Sequence, residues 1–140
     1  MSNSPQYELN STATRQKVAP LTAEFSSEQL ARDIAEAADD KKAADIVLLK
    51  VTEVSYLTDY FVIATGFSTT QIKAICDSIE KQIEEKYRLF PLRVQGKNDA
   101  RWIVIDYGEV IVHIFMQEER EYYNLEAFWG HAERIEFSAT

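Results

Sequence analysis

One turn in the sequence has the composition of an anion-binding site. Gly66-Phe67-Ser68 follows a run of apolar residues and precedes a helical pattern, so it lies at a strand-to-helix junction. Free amides at the start of a helix attract anions such as phosphate. The simpler interpretation, which we favour, is that Gly66 permits the turn and the Ser68 hydroxyl caps the helix.

Catalysis at this turn would need acidic residues that hold a metal ion. A Gly-x-Ser turn also opens the helix in nucleotidyltransferase-type folds, whose closely spaced carboxylates bind magnesium. Here the first acid after Ser68 is Asp77, on the flank of the helix, while Asp45 and Asp59 end different elements. The sequence therefore predicts no catalytic site, no metal site and no cofactor.

The histidines and the cysteine offer little further chemistry. His113 and His131 form no His-x-x-x-His or Cys-His pair with metal-ligand spacing. His113 lies inside an apolar strand, where a hydrogen-bonded imidazole is the common outcome. The single cysteine, Cys76, lies on the apolar stripe of a helix, which indicates a core residue, and it excludes an intrachain disulfide.

The elements that position these residues alternate between helical and strand patterns. Capping boxes at Ser26 and Ser68 start two helices, and a third helix is predicted over 118–129. A tight turn at Tyr107-Gly108 joins the last two strands. This order predicts a single α/β domain with one mixed sheet and helices mainly on one face. The five predicted strands are 44–51, 60–65, 89–95, 101–106 and 109–116.

The length, composition and net charge of the chain exclude several classes of protein. The chain has 140 residues, 46% of them hydrophobic, which suits one domain with its own core. Its formal net charge of −8 argues against a surface built for nucleic acid phosphates and favours a basic partner. No apolar run approaches the roughly 20 residues of a membrane-spanning helix.

The first 25 residues differ in composition from the rest. They are rich in Ser, Thr, Ala, Gln and Pro and have no sustained apolar period, which predicts a disordered tail over 1–25. A transit peptide is the alternative, although the segment has few basic residues. We expect the folded domain at 26–137, a short tail at 138–140, and a cytoplasmic location, or an organelle if the first segment is a transit peptide.

The predicted hairpin has two unlike faces. A two-residue turn at Tyr107-Gly108 would place Trp102 opposite His113, and Asp106 opposite Glu109. One face carries only branched aliphatic residues and should lie on the core beneath the helices. The other mixes a tryptophan, apolar residues and two acids, which is the composition expected of a docking surface. The alternative is that the last helix covers this second face.

Three segments resemble the signatures of one family, the RsfS/Iojap ribosomal silencing factors. The first is TDYFVIATGFS (58–68), the second is Gly96 followed by WIVIDYGEVIVHIF (102–115), and the third is REYYNLEAFW (120–129). Their spacing is consistent from about Ser27 to Ala132. The segment before Ser26 lies outside the resemblance and is longer than family members usually carry.

The resemblance implies a function without catalysis. Such factors bind large-subunit ribosomal protein fourteen at the intersubunit face, block joining of the small subunit and so repress translation. Members have a mixed α/β domain related to nucleotidyltransferases but without the metal carboxylates, and they are often homodimers. The implied partner is thus the large ribosomal subunit, with neither a membrane nor sequence-specific nucleic acid. The alternative function is a nucleotidyltransferase-like enzyme or a phosphate-binding domain that uses Gly66 and Ser68.

The resemblance also indicates which residues would contact the partner. The family's docking surface includes the tryptophan that matches Trp102, and neighbouring residues join it by geometry. Arg120 and Tyr123 match the third signature, but they could instead fix the last helix to the sheet. The predicted partner-binding residues are Asp99, Trp102, Asp106, Tyr107, Glu109, His113, Arg120 and Tyr123.

Overall fold

The structure, a computed structural model, describes residues 26–138. The expected tail at 1–25 and the last two residues lie outside this range. Within it the elements follow one another as α1 (Ser27–Asp39), β1 (Ala44–Lys50), β2 (Tyr60–Gly66), α2 (Thr69–Tyr87), β3 (Arg93–Gln95), β4 (Trp102–Asp106), β5 (Val110–Met116), α3 (Gln117–Tyr123), α4 (Leu125–Phe128) and β6 (Glu133–Glu136).

The strands form one mixed sheet in the order β3-β4-β5-β2-β1-β6. β2 and β5 are parallel, and every other neighbouring pair is antiparallel. The predicted single α/β domain with a mixed sheet is therefore confirmed. The sheet has six strands rather than about five, because β6 pairs with β1. Of the four residues of β6 only Ile135 is apolar, so the strand lacks the alternation that sequence patterns detect.

α1 and α2 cover one face of the sheet, and the larger core lies beneath them. Both helices begin as predicted: the hydroxyls of Ser26 and Ser68 accept N–H bonds, each at 3.0 Å, from Gln29 and Gln71. Neither these helices nor any other helix in 26–138 has the length and apolarity needed to cross a membrane. The aliphatic face of the hairpin packs under α1 and α2 as predicted, through Ile103, Ile105, Val110, Val112 and Ile114.

The hairpin register differs by two residues from the prediction. Trp102 faces Phe115 rather than His113, and Asp106 does not face Glu109. A shift of two preserves which residues share a face, because side chains alternate with a period of two. The predicted faces are therefore right, whereas the predicted cross-strand pairs, including the opposed acids, are wrong.

The position of the turn explains this shift. The Tyr107 N–H donates to the Val110 carbonyl at 2.9 Å, so the two-residue loop consists of Gly108 and Glu109. Gly108 has a φ of +87°, which glycine adopts at little cost. The carboxylate of Asp106 accepts the Gly108 N–H at 2.8 Å and holds the turn in place. The glycine is thus the first residue of the loop, not the second.

The predicted helix over 118–129 is two short helices. Asn124 between α3 and α4 has φ +45° and ψ +56°, a left-handed conformation that asparagine tolerates better than most residues. After this break Leu125 and Trp129 pack against the second face of the sheet. Tyr122 and Phe128 remain exposed. The closing helices therefore cover this face only in part. This outcome lies between the two alternatives considered for the face, an open docking surface and complete cover by the last helix.

Candidate docking site

Six aromatic side chains lie together on the sheet face opposite α1 and α2. They come from β2, β4, β5 and the two closing helices with the residue that follows them, elements far apart in sequence. Neighbouring rings lie with their centroids 4.6 to 5.9 Å apart. We call this set the aromatic cluster: Phe61, Trp102, His113, Phe115, Tyr123 and Trp129.

Trp102 is held in one orientation by three neighbours. Its ring stacks on Phe115 with centroids 4.9 Å apart, and Tyr123 lies against it at 4.6 Å. Its indole N–H donates to Nδ1 of His113 at 3.0 Å. The side chain is half-buried, so part of the ring is open to a partner. A tryptophan that is already ordered loses little conformational entropy on binding, which suits it to the centre of an interface.

His113 supports Trp102 and is not itself an exposed contact. Its side chain is 8% exposed, and burial lowers its pKa to about 4. The imidazole is therefore neutral at neutral pH. Because Nδ1 accepts the indole hydrogen, the ring proton of His113 lies on Nε2. Phe61 makes an edge contact with the same ring at 5.2 Å.

Arg120 makes several hydrogen bonds within the protein. Its Nη1 donates to the Thr65 hydroxyl at 2.9 Å and to the Asp45 carbonyl, while Nε and Nη2 both donate to Glu126. The side chain is 11% exposed. Arg134 also pairs with Glu126 at 3.1 Å. Arg120 therefore ties α3 to the sheet, which was the alternative role considered for it.

A distortion of β1 makes this arrangement possible. The β1–β2 register shifts between Ala44 and Val47, and Asp45 within the shift has a φ of +50°. A bulge of this kind turns the backbone of one strand locally. Here the bulged residue accepts a hydrogen bond from Arg120, which lies 75 residues further along the chain.

The acids predicted around Trp102 lie at the other end of the hairpin. Asp106 ends β4, about 13 Å along the strand from Trp102 at the usual rise per residue. Its carboxylate holds the hairpin turn and lies 3.7 Å from Arg93. Glu109 is exposed in the turn itself. The structure therefore does not bring these two acids beside the tryptophan.

The remaining predicted residues are divided between the two faces. The Tyr123 ring packs against Trp102 in a tilted arrangement and stays half-exposed. Asp99 is exposed in the turn that leads into β4. Tyr107 is buried on the helical face, so it does not lie on the same side as the aromatic cluster.

Three acids on α3, which sequence reasoning did not single out, share a cleft with Tyr123 of the aromatic cluster. Glu118, Glu119 and Glu121 line an open cleft of about 520 Å³ together with Tyr122 and Tyr123. Arg101, just before β4, pairs with Glu118 at 2.9 Å and with Glu119. The available signal was the run Glu-Glu-Arg-Glu at 118–121, which overlaps the start of the third signature.

The possible anion site at the strand-to-helix turn is already occupied by the protein. The Phe67 N–H donates to Oε1 of Gln71 at 2.7 Å, and the Ser68 hydroxyl accepts the Gln71 N–H. The amide group of Gln71 in turn donates to the carbonyls of Lys41 and Lys42. These contacts support the interpretation of the turn as a helix cap.

One group of potential metal ligands exists among the described residues, and it does not fit a metal. Cys76, Asp77 and Glu80 lie close together on α2. Burial raises the pKa of the Cys76 thiol to about 12, whereas metal binding needs the thiolate. Lys97 already pairs with Glu80 at 3.1 Å.

The chain is similar to known proteins over most of its length. A family model described as "Ribosomal silencing factor during starvation" matches residues 24–140. Ribosomal silencing factor RsfS of Halalkalibacterium halodurans is 40% identical over 112 residues, which cover 80% of this chain and 95% of the relative. RsfS of Bacillus subtilis is 43% identical over 98 residues, 70% of this chain and 82% of the relative. The chloroplastic protein Iojap of Arabidopsis thaliana is 36% identical over 128 residues, 91% of this chain and 53% of the relative.

Solved structures share the fold. A crystal structure of a Chromobacterium violaceum protein superposes with a TM-score of 0.73 at 28% identity, covering 83% of this chain and 95% of the other. A crystal structure of a Bacillus halodurans protein gives a TM-score of 0.69 at 37% identity, covering 79% of this chain and 99% of the other.

Proposed function

The chain belongs to the ribosomal silencing factor family, and we propose that it represses translation by binding the large ribosomal subunit so that the small subunit cannot join. The observation that carries this proposal is the half-buried, pre-ordered Trp102 on a sheet face that α3 and α4 cover only in part. Buried aromatic anchors of this kind contribute a large share of binding energy in protein interfaces.

The partner on the large subunit is ribosomal protein fourteen, as the resemblance implies. The formal charge of −8 favours association with a basic protein and disfavours direct binding to ribosomal RNA. The repressor acts by occupying the site, so it needs no substrate turnover and no cofactor. A homodimer would use the same partly covered sheet face in the free state. The site of action is the cytoplasm, or an organelle if residues 1–25 are a transit peptide.

Co-sedimentation with isolated subunits tests the proposal. The protein should sediment with purified large subunits and not with small ones, and it should lower the yield of joined ribosomes when small subunits are added afterwards. Binding to small subunits alone, or unaltered joining with the protein bound, would contradict it.

Calorimetry with nucleotides and magnesium tests the enzymatic alternative. We expect no heat of binding, because Gln71 already satisfies the Phe67 amide at the turn. Ser68→Ala should lower the unfolding free energy by about 1 kcal/mol, as loss of a helix cap does, and leave subunit binding intact. Magnesium-dependent nucleotide transfer that disappears in Ser68→Ala would support the alternative instead.

A further inference from the structure

The cleft along α3 lies at the edge of the aromatic cluster. Its volume is about 520 Å³, and the described residues that line it are three glutamates and two tyrosines. Tyr123 belongs to both features, since its ring also packs against Trp102 at 4.6 Å. A partner that covers Trp102 would therefore also cover this cleft.

The aromatic side of the cleft presents ring surface to solvent. Tyr122 is 83% exposed, and its ring meets that of Tyr123 edge to face at 5.0 Å. Exposed aromatic faces attract cations, and a guanidinium group can stack on them as well.

The acidic side keeps two carboxylates available. Glu119 is 21% exposed and is held by Arg101, which also lowers its pKa. Glu118 is 85% exposed and meets Arg101 through a single oxygen at 2.9 Å. Glu121 is exposed, and its carboxylate accepts a hydrogen bond from the neutral amide of Gln117 at 2.7 Å. Glu118 and Glu121 can therefore accept hydrogen bonds from an incoming cation.

We propose that this cleft receives one arginine side chain of the basic ribosomal protein to which the domain docks. Arginine fits both halves of the cleft, because its planar guanidinium can stack on a tyrosine ring while its N–H groups donate to carboxylates. The chemistry also selects a protein over RNA, since three carboxylates repel phosphate groups. This inference rests on the proposed function, and it moves the acidic part of the docking surface from the hairpin to α3.

Two double variants, each of which removes two negative charges, test whether the cleft receives an arginine. Glu118→Gln with Glu121→Gln removes two charges at the cleft, and Glu84→Gln with Glu85→Gln removes two from the exposed side of α2. We expect the first pair to weaken binding to isolated large subunits about fivefold to tenfold, with a shallower salt dependence. The α2 pair should stay within about twofold of the wild type. Thermal unfolding of both proteins verifies that they are folded.

Two substitutions of Tyr122 test the aromatic side of the cleft. Tyr122→Phe keeps the ring face and should bind as the wild type does, whereas Tyr122→Leu should bind about threefold to fivefold more weakly. Equal affinity of the cleft pair and the α2 pair would overturn the inference while leaving the proposed function standing. Tighter binding by the cleft pair would also overturn it, since that result places RNA phosphates at the cleft. If the wild type does not bind large subunits, that result contradicts both the proposed function and this inference.

Discussion

The indole N–H of Trp102 donates to Nδ1 of His113 across 3.0 Å, although the two residues do not face each other in the hairpin. The bond runs diagonally between neighbouring strands and requires His113 to be neutral. The orientation of the half-buried Trp102 ring thus depends on the protonation of the buried His113.

His113 should make the protein less stable as the pH falls below neutral. Its pKa is about 4 in the folded state, against an ordinary value of 6.5, so the unfolded chain takes up the proton first. The contribution of His113 to the unfolding free energy should fall by about 3 kcal/mol between pH 6.5 and about 4, and change no further below that pH. Urea unfolding across this range measures the loss.

His113→Asn is the control for that titration. The asparagine oxygen can still accept the indole hydrogen, but the side chain no longer titrates. Carboxylates contribute equally to both proteins, so the difference between the two curves isolates the histidine. Parallel curves would show that His113 is not responsible.

Trp102→Ala should weaken binding to large subunits by about 30-fold, because an anchor at an interface centre contributes about 2 kcal/mol or more. It should also lower stability by about 2 kcal/mol, since three aromatic contacts are lost. Dissociation rates from immobilised subunits and urea unfolding measure the two effects.

Trp129→Ala separates binding from stability. Trp129 is also half-buried in the aromatic cluster, but it packs on Phe61 at 5.3 Å rather than on Trp102. We expect a similar loss of stability and an unchanged affinity. If both variants lose affinity in proportion to their stability, Trp102 has no direct contact with the partner.

Arg120→Met should lower the unfolding free energy by about 2 to 4 kcal/mol, because it leaves the Glu126 carboxylate partly buried without its main partner. Arg134→Met removes the second arginine on the same carboxylate, but Arg134 is 47% exposed. That change should cost less than about 1 kcal/mol. Chemical denaturation of the two variants compares them, and equal losses would contradict the assigned role of Arg120.

Gly96→Ala should be far more destabilising than Gly108→Ala. Both glycines have positive φ, +93° and +87°, so each alanine pays a strain of about 1 kcal/mol. At Gly96 the added Cβ would also lie 2.1 Å from the backbone carbonyl oxygen of Trp102, whereas at Gly108 the nearest atom, on Leu92, is 3.6 Å away. We expect a loss of about 3 kcal/mol or more at Gly96.

Near-ultraviolet circular dichroism of the two alanine variants provides a second readout. Gly96 lies against the start of β4, so its substitution should alter the tryptophan signal, and that of Gly108 should not. Similar stability and similar spectra would indicate that the turn before β4 adapts to the added carbon.

The sequence was informative wherever a period or a cap determines structure. Both capping serines and both faces of the hairpin were predictable, because each depends on residues close in sequence. The hairpin register was not, since Tyr107-Gly108 and Gly108-Glu109 are both acceptable loops and the choice depends on where Asp106 accepts its hydrogen bond. β6 carries too little apolar pattern to predict from its own residues.

In the candidate site, too, some features were predictable from nearby residues and others depended on residues distant in sequence. Trp102 was predicted as a partner-binding residue from the family resemblance together with the composition of its strand. The inward direction of Arg120 could not be predicted, because it depends on Thr65 and on a bulge at Asp45, which are distant in sequence. The distance of Asp106 from Trp102 was predictable, because both residues lie on the same predicted strand and the rise per residue sets their separation.

The pairing of β6 with β1 has a consequence for how the protein avoids self-association. β6 is the last element of the described chain, and it completes the sheet against the first strand, with Lys50 beside Glu133 and Val47 beside Glu136. It also delivers Arg134 to the carboxylate that anchors α3. Without β6, β1 would be an edge strand with unpaired backbone groups, which is a template for pairing with another chain. The short, charged β6 therefore protects the sheet from pairing with a second molecule at this edge.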